Sequence, residues 1–124
     1  MNDIGLGNDI VTNGDFTTDS DWVKGPGWSI SYGLALIDGS QSANSWLQQF
    51  DVLTLGNMYQ VTFTFVNNGS GAIVLDSYTL PEYINSSGTY TLNITASNTY
   101  IGFMATPGFN GYIDNITVKE IELN

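Results

Sequence analysis

Neither cysteine nor histidine occurs anywhere in the 124 residues. Without Cys there is no disulfide, no thiolate metal site and no Cys nucleophile. Without His the commonest general base, the usual catalytic triad and nearly all zinc chemistry are gone. Basic residues are almost as scarce: Lys24 and Lys119 stand against twelve acids, for a formal net charge of −10. Nucleic acid and anionic membrane surfaces both require Lys and Arg opposite their phosphates, so this balance speaks against either partner. No apolar run is long enough to span a bilayer, which excludes membrane insertion by a helix. The opening MNDIGLGNDIV lacks the basic and apolar regions of a secretory signal peptide, so synthesis in a cytoplasm is expected.

Hydrophobic residues make up 42% of the chain, a normal share for a folded domain of this length. Charged residues are only 11%, well below the usual quarter, so Ser, Thr, Asn, Gln and Gly must build the polar surface. Extracellular β-proteins and virion proteins share that habit. Period-2 alternation runs through the sequence, and no stretch has convincing helical periodicity. In YQVTFTFV, Tyr59, Val61, Phe63 and Phe65 share one face; in TYTLNIT, Tyr90, Leu92 and Ile94 do. GWSISYGLALIDG reads as a hairpin reversing at Tyr32-Gly33. Such segments recur about every ten residues between Gly, Asn, Asp and Ser turns, the spacing of a sandwich or barrel of nine or ten strands. Residues 1–9 are expected to form a flexible arm, and 10–124 a single domain.

Near the end lies GYIDNITVKE. Strict alternation from Tyr112 puts Asp114 on the face of Ile116 and Val118, among core aliphatics. A buried carboxylate is costly unless it is paired or coordinated. The competing role is capping the strand end by bonding loop amides.

The order NGDF, Trp22, GW with a Gly-turned hairpin, SWLQQFDVLTLGNMYQVTFTF, GTYTLNITA and GYIDNITVKE resembles the galactose-binding-like jelly roll. That two-sheet antiparallel β-sandwich is shared by several carbohydrate-binding module families. The match is nearest to versions in bacteriophage tail and virion proteins, and covers Ile10 to Ile121. The resemblance implies a structural Ca²⁺ where the two chain ends meet, held by Asp114 together with Asn13, Asp15 and Thr17. Thr17 stands where the family often has Glu. An all-oxygen site of this kind suits Ca²⁺ and a chain without His or Cys. The acids of GDFTTDSDW, by contrast, lack the Gly and distal Glu of an EF-hand loop.

Sugar binders combine apolar walls with a few placed polar groups. Phe16, Tyr59, Phe63, Phe65, Tyr90 and Phe103 fall on core positions, whereas Trp22, Trp28, Tyr32, Trp46, Tyr83 and Phe109 lie in or beside loops and hairpins. Trp22, Trp28, Tyr32, Trp46 and Tyr83, with Gln48 and Gln49 beside Trp46, are the candidate glycan-binding residues. Packing in the core is the competing role of each Trp. Four N-x-[ST] sequons, at Asn68, Asn85, Asn93 and Asn115, are simplest as chance in so Asn-, Ser- and Thr-rich a chain.

Three functions compete. The first is a non-catalytic module adhering to a cell-surface polysaccharide. The second is a purely structural decoration protein of a capsid or tail. The third, a carboxylate-dependent glycosidase, comes last because Asp51, Asp76 and Glu82 sit in no recognisable catalytic motif. The resemblance, and a chain running from Met1 to just past its last strand, imply a virion surface protein made in the host cytoplasm. It would dock on other virion proteins or form a homo-oligomer.

Overall fold

The computed structural model of the chain describes residues 4–75 and 83–123. Asp76 and Glu82, two of the acids weighed above, lie outside the described residues. The strands are β1 (Ile4–Asp9), β2 (Val23–Lys24), β3 (Trp28–Ser31), β4 (Leu34–Asp38), β5 (Ser45–Gln49), β6 (Met58–Asn67), β7 (Ile73–Leu75), β8 (Tyr83–Ile84), β9 (Gly88–Thr95), β10 (Ile101–Ala105) and β11 (Asn110–Leu123). They form two antiparallel sheets. One has the order β3-β4-β11-β6-β9, with β1 also on β11; the other is β2-β5-β10-β7-β8. The all-β sandwich expected from the alternation is the architecture observed.

Alternation dictates what lies between the sheets. Along β6, Tyr59, Val61, Phe63 and Phe65 are buried while Gln60, Thr62 and Thr64 face outward. From the opposing sheet come Leu47, Ile73, Leu75, Ile101 and Phe103, each fully buried. Phe63 is the hub, its ring centroid 5.1 Å from Phe103 and 5.6 Å from Tyr90. Phe63→Ala is expected to cost about 3–5 kcal/mol in urea unfolding, because the cavity it leaves is walled by both sheets.

β11 departs from strict alternation. Its register with β6 slips between Asp114 and Thr117, and Asn115 takes the left-handed φ of 53°. The slip is a β-bulge, and one extra residue moves the core-facing set from odd to even numbers. Gly111 and Ile113 are buried before it, Ile116 and Val118 after it. Asp114 therefore does not share the face of Ile116 and Val118. It points to the outer side of its sheet beside Thr64, and is only partly buried.

Residues 4–9, expected as part of an arm, form a strand. Ile4–Asp9 pairs antiparallel with the far end of β11, and Asp9 Oδ1 accepts the amides of Val11 and Val118.

Candidate functional site

Two regions gather the residues singled out in the sequence. The first is the junction of the NGDF loop with the β11 bulge. Asn13 and Phe16 both adopt left-handed φ, which curls the loop so that Gly14 O accepts the Ile116 amide at 2.9 Å. Asn13 is spent on the loop itself: its Nδ2 donates to the carbonyls of Thr18 and Ser20, and its Oδ1 accepts the Thr18 amide. Thr17, though exposed, is likewise committed within the loop, its amide and hydroxyl both donating to Asp15 Oδ1. Asp9, Asn13, Gly14, Asp15, Asn115, Ile116 and Thr117 surround a hollow of about 310 Å³. Asp114 lies close enough to feel the Asp15 charge. Burial raises its pKa above the ordinary carboxylate value, Asp15 adds to that, and the Asn115 amide on Oδ1 opposes it. Among the described residues no three acidic side chains converge as a ready-made metal cage, so main-chain oxygens would have to complete one.

The second region is the outer face of the five-stranded sheet. In β5, Ser45, Leu47 and Gln49 are buried, which sends Trp46 and Gln48 to the outer side. Trp46 pairs with Met104, Met104 with Val74, and Val74 with Tyr83. Four neighbouring strands thus line up Trp46, Met104, Val74 and Tyr83 in one row. At the usual strand spacing the row spans about 14 Å from Trp46 to Tyr83. Tyr83 is 69% exposed, Trp46 and Met104 are half-buried, and Val74 is buried. A parallel row runs Val23, Gln48, Gly102. The Tyr100 ring lies on Gly102, where an added Cβ would come within 2.7 Å of it, and the Phe50 ring centroid is 5.6 Å from the Tyr100 ring centroid. None of these side chains is charged. Lys24, next along β2, is held by Asp19.

The remaining candidates lie elsewhere. Trp22 and Trp28 are core residues, 6% and 7% exposed, with indole NH groups donated to the carbonyls of Asn13 and Ser45. Both sit beside loops, as the sequence indicated, but point inward. Phe109 is fully buried on Phe65. Gln49 is buried as a latch: its Oε1 accepts the Thr12 amide and its Nε2 donates to the Thr12 carbonyl. Tyr32 is 92% exposed at the tip of the β3–β4 hairpin, on the other sheet. Of the predicted glycan residues, the face unites Trp46, Gln48 and Tyr83. Sequence reasoning missed Val23, Phe50, Tyr100 and Met104. The alternation of SWLQQF could have found Phe50, but only cross-strand register brings in Met104 and Tyr100.

The β-sandwich architecture is similar to that of solved carbohydrate-binding modules. Among solved structures it is similar to one described as "CBM4 structure and function", with TM-score 0.61, 14% identity, and coverage of 89% of this chain and 99% of that one. A second is the CBM1 of BiXyn10A in its apo form, with TM-score 0.57, 12% identity, and coverage of 86% and 92%. A third is the N-terminal cellulose-binding domain of Cellulomonas fimi β-1,4-glucanase C, with TM-score 0.52, 16% identity, and coverage of 92% and 95%. No protein-family model and no curated protein matches the sequence. At such identities the likeness defines the fold, and function has to be argued from the faces of this molecule.

Proposed function

We propose that the protein is a non-catalytic glycan-binding module that lays a neutral sugar chain across the outer face of its five-stranded sheet. The observation that carries this reading is the row Trp46–Met104–Val74–Tyr83. Two aromatic side chains stand on one face about 14 Å apart, far enough to stack two separate sugars of one extended chain. Gln48, in the next row, supplies a donor and an acceptor for hydroxyls. The lack of any cation on this face disfavours uronate, sialylated or sulfated glycans. Among the described residues no carboxylate stands on this face, so none there could start a glycosidase mechanism. A cellulose-binding domain among the structural neighbours makes β-1,4-glucan the first ligand to try. A panel of neutral and acidic polysaccharides in affinity electrophoresis tests the reading. Retardation by a neutral glucan or related neutral chain is expected, and retardation by acidic polymers alone would refute it.

The setting we propose is a virion surface, on the strength of the sequence resemblance and the charge-poor composition. Mass spectrometry of purified particles tests it: the chain should co-purify with assembled virions, and its absence from them would remove that setting.

We also propose that the hollow between the NGDF loop and the β11 bulge holds a structural Ca²⁺. The donor set fits in part. Asp15 lines the hollow, and Asp114, next in sequence to the lining residue Asn115, would have to turn into it, whereas the side chains of Asn13 and Thr17 are already committed. A cation between the two acids would favour their ionised forms. With no metal, the raised pKa of Asp114 means that its contribution to stability is present below the unfolded value and is lost as pH rises through the folded one. Metal-free Asp114→Asn is therefore expected to melt above metal-free wild type at neutral pH, with the gap closing as pH falls toward the carboxylate range. Calcium should raise the melting temperature of wild type and leave the variant unmoved. A wild-type melting temperature indifferent to chelator would end the metal assignment.

A further inference from the structure

We infer that β9 is a self-association edge, at which a second copy of this chain adds its own β9 antiparallel and joins two six-stranded sheets into one. Sheets ordinarily guard their edges with short strands, charges, prolines or bulges, because unpaired N–H and C=O groups template further pairing. The other edge strands of this sandwich are shorter: β2 and β8 have two residues each, β3 has four, and β1 has six and ends on the charged Asp9. β9 has eight, pairs with β6 in unbroken register, and has no partner strand on its other side among the described residues. It also contains no proline and no charge. Indeed no Asp, Glu, Lys or Arg occurs between Glu82 and Asp114, in a chain of net charge −10. Two such molecules repel at most surfaces, and at this edge they bring no like charges together.

The strand is also complementary to itself. A two-fold axis at Leu92 pairs Thr91 with Asn93, Tyr90 with Ile94 and Thr89 with Thr95 of the second copy. The two-residue repeat then keeps outward residues opposite outward ones and core-facing residues opposite core-facing ones. Aromatic with β-branched and Thr with Thr are favourable cross-strand pairs. Tyr90 and Leu92, which face the core but stay half-buried at the open edge, would be covered. The arrangement is isologous and closes as a dimer. The aromatic row lies on the other sheet, so both copies keep their ligand faces open and the dimer is bivalent.

Sedimentation equilibrium of the full chain, over a range of concentrations, tests this. Wild type should associate to a dimer. Thr91→Glu with Asn93→Glu puts two Glu–Glu pairs across the axis and should weaken association at least tenfold. Thr91→Lys with Asn93→Glu turns each of those pairs into Lys opposite Glu and should restore it. Ser29→Glu, on the exposed side of the opposite edge strand β3, should change nothing. Hydrogen exchange of wild type should show β9 amides gaining protection as concentration rises. A wild type that stays monomeric at about 1 mM, a double-Glu variant that associates as wild type does, or a Ser29→Glu variant that dissociates would overturn the proposal.

Discussion

Trp46→Ala and Tyr83→Ala are each expected to weaken binding of a neutral oligosaccharide by roughly thirtyfold, about 2 kcal/mol, as befits aromatic anchors that each stack a sugar of the chain. Their effects on stability should differ from their effects on binding. Tyr83 is 69% exposed and its removal should barely alter the melting temperature. Trp46 is half-buried and its loss should cost somewhat more. Gln48→Ala, which removes a donor and an acceptor but no stacking surface, should weaken binding less, by a factor of about five to ten. Trp22→Ala supplies the contrast. With its ring 5.5 Å from Phe16 and its NH on Asn13 O, it should unfold the protein before it tells anything about a ligand. Isothermal titration beside thermal melting of the same four variants separates the two kinds of aromatic. A Tyr83→Ala variant that binds as wild type does would remove the far end of the proposed chain path.

The second large effect concerns the junction of the chain ends. Gly14→Ala should destabilise the protein by about 3 kcal/mol, because the added methyl overpacks a backbone contact that has no side chain to yield. A Cβ on Gly14 would stand 2.1 Å from the Ile116 carbonyl oxygen, and the loop would have to lift off the β11 bulge. That movement breaks the bond from the Ile116 amide to Gly14 O and shifts Asn13, whose carbonyl holds the Trp22 indole. For a domain of this size the melting temperature should fall by roughly 10 °C. Gly69→Ala, at a loop glycine with nothing within 4 Å of its added carbon, should be nearly neutral. Equal effects at the two positions would mean that the NGDF loop is not seated on the bulge in solution.

Where alternation continues unbroken, as along β6 and β9, the sequence revealed both the strand and its buried face, because a two-residue repeat leaves a direct trace in residue type. At the bulge it did not. Asn115 looks like any strand residue, and only a left-handed φ together with the register against β6 shows that Asp114 faces outward. The tryptophans divide for a similar reason. Trp46 lies within a strand, where parity decides its side. Parity likewise turns Trp28, the first residue of β3, inward with Ile30, whereas Trp22 lies outside any strand and donates its NH to the Asn13 carbonyl nine residues away. The meeting of the NGDF loop with β11, where a calcium site was expected, was legible. The diversion of Asn13 and Thr17 into the loop's own hydrogen bonds was not. The aromatic row was the least visible feature, since Met104, Val74 and Tyr83 become neighbours of Trp46 only through pairing across four strands.

The most direct test of a neutral-glycan face is amide chemical-shift mapping during titration with a soluble β-1,4-linked gluco-oligosaccharide. Binding across the five-stranded sheet predicts perturbations at Trp46, Gln48, Val74, Tyr83, Gly102 and Met104, together with the Trp46 indole NH. The amides of β6 and β9 should stay still. Shifts confined to β6, β9 and β11, or a spectrum unmoved by any neutral oligosaccharide at millimolar concentration, would contradict it.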